Sequence, residues 1–296
     1  MESNESGSYI VDHVASGDGY LSEAGSPLRR PRQFLRETRK GFLISCRIAP
    51  RLTARALRSQ YRSSFLGYFW LLGTPIAISF TWLYLTSAGV ISGGETPIPY
   101  GAYVVTGILL WTSFVEAVST PLARLLEAAN LLNKVNFPPE AVIVSGSLTL
   151  MLNSLIRLVI LVPVFLVTGV RPGWSIILAP LGVGALLLFG FSVGLILAPF
   201  GALYRDIGEA IPVVLYFFFF LTPVAYTLND DMPGGHLIRN NPITPVLDPA
   251  REWLTGGSFT IPLEWMVMLG VSTILLAIGW VVFRVAMPHL VDRINV

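Results

Sequence analysis

Polar and apolar positions segregate along this chain in long blocks. The first 30 positions are almost free of apolar runs, an arginine-striped segment follows to position 62, and long apolar stretches then alternate with short polar ones. A hydrocarbon layer about 30 Å thick takes roughly 20 apolar residues of helix to cross. By that measure the pattern predicts six spans, at 65–88, 101–125, 141–168, 174–200, 207–228 and 262–287. Each must be helical, because a backbone in lipid has to satisfy its own hydrogen bonds and the alternating strands of a barrel are missing. Pro75, Pro163, Pro199, Pro212 and Pro223 fall inside or at the ends of these runs, where they predict kinks more than breaks.

Two stretches outside the spans carry patterns of their own. Arg47, Arg51, Arg55, Arg58 and Arg62 recur every three or four positions, which on a helix places them along one face, flanked by Ile48, Leu52, Ala56 and Leu57. The expectation is an amphipathic interface helix, apolar side toward lipid and arginines toward anionic phosphates, with a solvated basic helix as the alternative. Between the fifth and sixth spans, 229–261 is broken by Pro and Gly, yet its piece HLIRNNPITPVLDPAREWL is moderately apolar. Re-entrant helices in the outer leaflet are expected there, a plain external loop being the alternative. The chain thus divides into a disordered cytoplasmic tail (1–30), an amphipathic interface segment (31–62) and a six-helix transmembrane domain (63–296), with neither signal peptide nor span in the tail.

Composition agrees with an all-α integral membrane protein: 53% of the residues are hydrophobic and 13% charged. Orientation follows from the basic residues, eleven of the twenty of which precede the first span. Arg124, Lys134, Arg205, Arg284 and Arg293 fall on that same side, against Arg171, Arg239 and Arg251 on the other and Arg157 within the third span. The bias predicts that both termini are cytoplasmic. The single cysteine, Cys46, excludes an internal disulfide, and no cysteine-histidine cluster suggests a metal.

The chain also lacks a G-x-x-x-x-G-K-[ST] loop, a G-x-S-x-G elbow, an H-E-x-x-H pair and a G-x-G-x-x-G turn. It is therefore not expected to hydrolyse nucleotide unaided, to be an enzyme, or to bind a cofactor itself. Asp230 and Asp231 are clustered carboxylates, but beside Met232-Pro233-Gly234 they read as a solvated turn in preference to a metal or sugar-transfer site.

Glu116 and Arg157 lie well inside spans, where each costs about 2.5–3.5 kcal/mol on insertion scales if unpaired at the centre. The second span runs inward and the third outward, so the two groups either pair across that hairpin or Arg157 lines a wet cavity and meets a substrate phosphate. Tyr68, Trp70, Tyr216, Phe220 and Tyr226 are candidates for stacking on sugar rings along a translocation pathway, with lipid-facing aromatics as the alternative. Two short polar segments on the basic side suit a soluble partner: NLLNKVNFPPE, with Asn130 as a start and Pro138-Pro139 as a stop, and Arg205-Asp206 after the fourth span.

Taken in order, several pieces resemble one family. They are Ser59-Gln60-Tyr61-Arg62-Ser63-Ser64-Phe65-Leu66-Gly67-Tyr68-Phe69-Trp70, Gly107 with Trp111, Asn130-Leu131-Leu132-Asn133-Lys134-Val135-Asn136-Phe137-Pro138, Tyr204-Arg205-Asp206-Ile207, Leu221-Thr222-Pro223-Val224-Ala225-Tyr226, and Asn241-Pro242 with Arg251. This series is similar to the transmembrane subunits of type-2 ATP-binding-cassette exporters that move O-antigen, teichoic acid and related polysaccharides. The resemblance implies a homodimer in a bacterial cytoplasmic (inner) membrane, bound to two copies of a separate ATPase that holds the ATP and magnesium. It makes Asn130, Lys134, Val135, Phe137 and Pro138 a coupling helix, with Arg205 and Asp206 beside it. Arg55, Arg58 and Arg62 would hold the pyrophosphate of a lipid-linked polysaccharide, and the 229–261 helices would close the outer mouth. No nucleic-acid partner is expected. The long N-terminal tail and Arg157 depart from the family pattern. Other readings are a drug or small-lipid exporter of the same class, a membrane-embedded glycosyltransferase using Asp230 and Asp231, and a secondary transporter, which the single buried acid disfavours.

Overall fold

The computed structural model describes residues 31–62, 69–91, 93–132, 140–227 and 235–294. Among them the regular elements are all helical: α1 (Pro31–Arg62), α2 (Phe69–Ser87), α3 (Tyr100–Leu132), α4 (Glu140–Val159), α5 (Leu161–Thr168), a 3-10 turn (Trp174–Leu178), α6 (Ala179–Leu203), α7 (Arg205–Leu221), α8 (Gly235–Arg239), α9 (Thr244–Thr255) and α10 (Leu263–Ile294). The predicted tail and the Asp230-Asp231 pair lie outside the described residues.

The bundle is built around α6, which packs along α3 on one side and α10 on the other, with α9 across one end. Lipid tails are as apolar as leucine, so helices in a membrane associate by close packing more than by hydrophobic exclusion. Small residues on α6 permit that approach. At Gly194 the Val118 carbonyl of α3 comes so near that even a methyl group has no room.

Five helical stretches are long and apolar enough to cross a membrane: Phe69–Ser87, Tyr100–Glu127, Glu140–Thr168, Trp174–Leu203 and Leu263–Met287. The third contains the kink expected of Pro163. Proline has no N–H for the Val159 carbonyl four residues back, and the Ile160 N–H turns to the Arg157 carbonyl at 3.0 Å instead. The fifth predicted span differs. Helix α7 has only 17 residues, ending at Leu221, and Thr222 is extended (φ −113°, ψ 135°). The residue before a proline disfavours helix, so Pro223 stops the run that the apolar pattern carried to position 228.

Helix α1 is held by protein contacts of a kind the arginine stripe did not announce. Gly41, Ser45, Ala49 and Thr53, four apart, are buried, and the Thr53 hydroxyl donates to the Ser145 carbonyl of α4 at 3.1 Å. Arg47, Arg51, Arg55 and Arg58 are exposed on other faces, while Ile48, Leu52, Ala56 and Leu57 are half-buried. In the 229–261 segment two short helices form, α8 and α9, the second burying Val246, Leu247, Ala250 and Trp253.

Candidate functional site

At the end of the bundle away from α1, the chain leaves α7 as irregular backbone over residues 222–226, and Thr222, Pro223, Val224 and Ala225 are buried. Buried carbonyls without partners are costly, and here each one finds a donor. The Asn241 side-chain amide donates to the Leu221 carbonyl at 2.9 Å, and the Val224 N–H to that of Thr222 at 2.7 Å. Arg251 spreads one guanidinium nitrogen over the Pro223 and Val224 carbonyls, at 2.7 and 3.0 Å. The Tyr100 hydroxyl takes the Ala225 carbonyl at 3.0 Å and the Tyr103 hydroxyl that of Tyr226 at 3.1 Å.

The clamp is packed from below. The Arg251 guanidinium lies 4.0 Å above the centre of the Tyr103 ring, a favourable cation-π placement, and Asp248 stands 3.5 Å from its other terminal nitrogen. Gly107 of α3 passes directly beneath, where a Cβ would overlap the Val224 carbonyl and meet the Arg251 guanidinium at 2.8 Å. Glycine is thus required at 107 for close approach. A non-helical segment results whose carbonyls are all bonded, held by side chains from α3 and α9 and by Asn241.

A second polar cluster lies within the bundle. Arg157 of α4 forms an ion pair with Glu116 of α3, and Asn153, one turn before Arg157, donates its amide to the other Glu116 oxygen at 2.6 Å. Arg157 is buried, and the Glu116 side chain is 23% exposed. Of the two possibilities open for these residues, pairing across the hairpin is the one the structure adopts.

A third feature is what the bundle leaves uncovered. Trp70, Thr74, Ala77, Thr81 and Tyr84 share one face of α2, and Glu209, Val213, Tyr216 and Phe220 one face of α7, all of them exposed. The rings of Tyr216 and Phe220 meet edge to face at 5.4 Å. The opposite side of α7 buries Ile211 and Leu215, and beside the stripe Phe219 contacts Trp82 and Trp111, with ring centres 5.9 and 5.7 Å away. The two stripes together combine rings with hydroxyls, a mixture suited to sugars or to another protein surface.

The remaining sequence candidates fall as follows. Arg55 and Arg58 are exposed on α1, and Tyr226 is half-buried with its hydroxyl donating to the Phe220 carbonyl at 2.5 Å. Arg205 and Asp206 are exposed at the start of α7, Arg205 pairing with Glu209 at 2.8 Å. Arg62 and Asn130 lie in helices α1 and α3, their side chains outside the described residues, as are Tyr68, Lys134, Val135, Phe137 and Pro138 altogether. Sequence reasoning missed the parts played by Tyr100, Tyr103, Asn153 and Glu140. It counted Arg251 as an external charge and as a piece of the family pattern beside Asn241-Pro242, without a role for its guanidinium. A signal existed for Asn153, which precedes Arg157 by four residues and so shares its helix face.

Comparison with known proteins places these features in context. The family profile of the ABC-2 type transporter matches residues 51–254. The chain is 28% identical over 211 residues to the O-antigen export system permease protein RfbA of Myxococcus xanthus, covering 70% of this chain and 78% of that protein. It is 24% identical over 245 residues to the protein of the same name from Klebsiella pneumoniae, covering 80% and 90% respectively.

Proposed function

The chain belongs to the ABC-2 type transporter family, and from that premise we propose that it is the permease subunit of an ATP-driven exporter of lipid-linked, O-antigen-like polysaccharide. Two copies form the membrane-spanning unit in the bacterial inner membrane, each bound to an ATPase subunit that supplies the nucleotide chemistry. Helix α7, prolonged by the bonded segment 222–226, serves as a sixth crossing, α8 and α9 dip into the outer leaflet, and both termini face the cytoplasm.

The observation that carries this reading is the pair of uncovered stripes on α2 and α7. A monomer in lipid gains nothing from exposed Thr74, Thr81, Tyr84 and Tyr216 on neighbouring helices. Facing a second copy across a conduit, the same residues supply many weak, similar contacts for a sliding glycan. The basic face of α1 suits the pyrophosphate of the lipid carrier, through Arg55, Arg58 and Arg62, because guanidinium forks match phosphate oxygens. In this reading the segment 130–139 and the Arg205-Asp206 pair are the docking surface for the cytoplasmic ATPase, a role the family resemblance supports.

Affinity purification of the tagged chain from its own membranes tests the assembly. A soluble ATPase in equimolar amount, and a complex mass corresponding to two copies of each subunit, is the expected result. Recovery of the chain as a lone monomer that transfers sugar by itself overturns it.

A further inference from the structure

One buried carboxylate has no part in the clamp or the stripes. Glu140 opens α4 immediately after the segment 133–139, and it is 5% exposed. Its carboxylate forms an ion pair with the Arg284 side chain of α10, Nε to Oε1 at 3.3 Å. The backbone of α1 closes the third side, since a Cβ added at Gly41 would stand 3.4–3.6 Å from the Glu140 carboxyl atoms. Three helices far apart in sequence therefore meet at one side chain. The N-terminal position of Glu140 in α4 adds a favourable interaction with the helix dipole, which fixes the carboxylate to that helix end.

We propose that the Glu140–Arg284 pair is a joint that passes displacement of the segment 133–139 into α1 and α10 together. The inference rests on the reading that an ATPase pushes on this segment. The segment is continuous with α3 at Leu132 and with α4 at Glu140, so a force applied there enters α4 at Glu140. From Glu140 it has two paths, sideways into α1 and, through Arg284, into α10, which packs along the central α6. A buried carboxylate suits such a joint because it resists separation over the short distances of a power stroke: pulling Arg284 away takes the ion-pair partner from a Glu140 side chain that is only 6% exposed. An apolar contact at the same place would slide. Glu140 is a positioning residue in this scheme and touches no substrate.

The test uses the complete permease–ATPase complex in lipid vesicles, with an undecaprenyl-diphosphate-linked O-polysaccharide as the transported probe. Glu140→Gln keeps the shape of the side chain and removes its charge. The expected result is ATP hydrolysis near the wild-type rate with polysaccharide chains moved per ATP down about ten-fold. The Glu140→Gln/Arg284→Gln double variant is expected to be no worse than the single one, as for two groups acting as a unit. Hydrolysis and export falling in the same proportion, or an unchanged ratio, overturns the joint, because a purely structural residue moves both rates alike. Should Glu140→Gln fail to reach the membrane, Arg284→Gln, on the more exposed side of the pair, carries the same test with the same two outcomes. A wild-type complex that forms but moves no polysaccharide removes the exporter reading, and the joint's role with it; a wild-type complex that exports while the variants keep its ratio removes the joint alone.

Discussion

Among the described residues two arginines are buried, and the protein uses them in opposite ways. Arg157 meets a carboxylate: its charge is cancelled by Glu116 and steadied by Asn153, so that a polar group can sit between two packed spans. Arg251 turns its guanidinium toward main-chain oxygens, taking the Pro223 and Val224 carbonyls while Tyr103 lies under it and Asp248 stays at 3.5 Å. The first arrangement neutralises a side chain. The second completes a stretch of backbone that helix geometry has abandoned, and it works because guanidinium offers several donors in a fixed plane where lysine offers a mobile point charge. The difference teaches that irregular chain inside an apolar bundle needs as much dedicated hydrogen bonding as a stray charge does.

Arg251→Leu strands two buried carbonyls and loses the contact with Tyr103, an expected destabilisation of about 3–7 kcal/mol. It should appear as a collapse of melting temperature in detergent and as loss of export, with Arg251→Lys recovering only part of either. Glu116→Leu alone leaves Arg157 buried and unpaired, at a cost of about 3–5 kcal/mol, whereas the Glu116→Leu/Arg157→Leu double variant should be more stable than the single. Melting curves of the three proteins decide it, and a double variant worse than both singles would mean that the pair has further partners. Asn153→Ala removes one charge-assisted bond and should cost about 1.5–3 kcal/mol, read as a smaller shift in the same melting experiment. Arg205→Ala, which breaks an ion pair exposed at both ends, should change stability by about 0–1 kcal/mol and is read by melting in high and low salt. Any effect of that last variant on ATPase co-purification would then report docking in place of folding.

Much of the architecture was written in the apolar pattern. Helices at 69–87, 100–127, 140–168, 174–203 and 263–287 match predicted spans, because twenty apolar residues admit few other structures in lipid. Glu116 and Arg157 were legible as a pair for the same reason: charges that deep have few options. The end of α7 was not legible from hydropathy, since Thr222 to Tyr226 is as apolar as a helix, and only the proline at 223 marks the stop. The part played by Arg251 was not legible for a related cause. A count of basic residues by side treats an arginine in a loop as solvated, and nothing local in DPAREWL says that backbone 27 and 28 residues earlier will be waiting for it. The row Gly41, Ser45, Ala49 and Thr53 was likewise overlooked, because the arginines beside it carry the louder signal while small residues do the packing.

In the proposed exporter this bundle moves its cargo with work delivered from a separate ATPase. Vesicles carrying the purified chain, with and without its co-purifying ATPase, loaded with lipid-linked O-polysaccharide and supplied with ATP, test it most directly. Polysaccharide is predicted to cross only when both proteins and hydrolysable ATP are present. Crossing by the chain alone at the same rate would contradict the account.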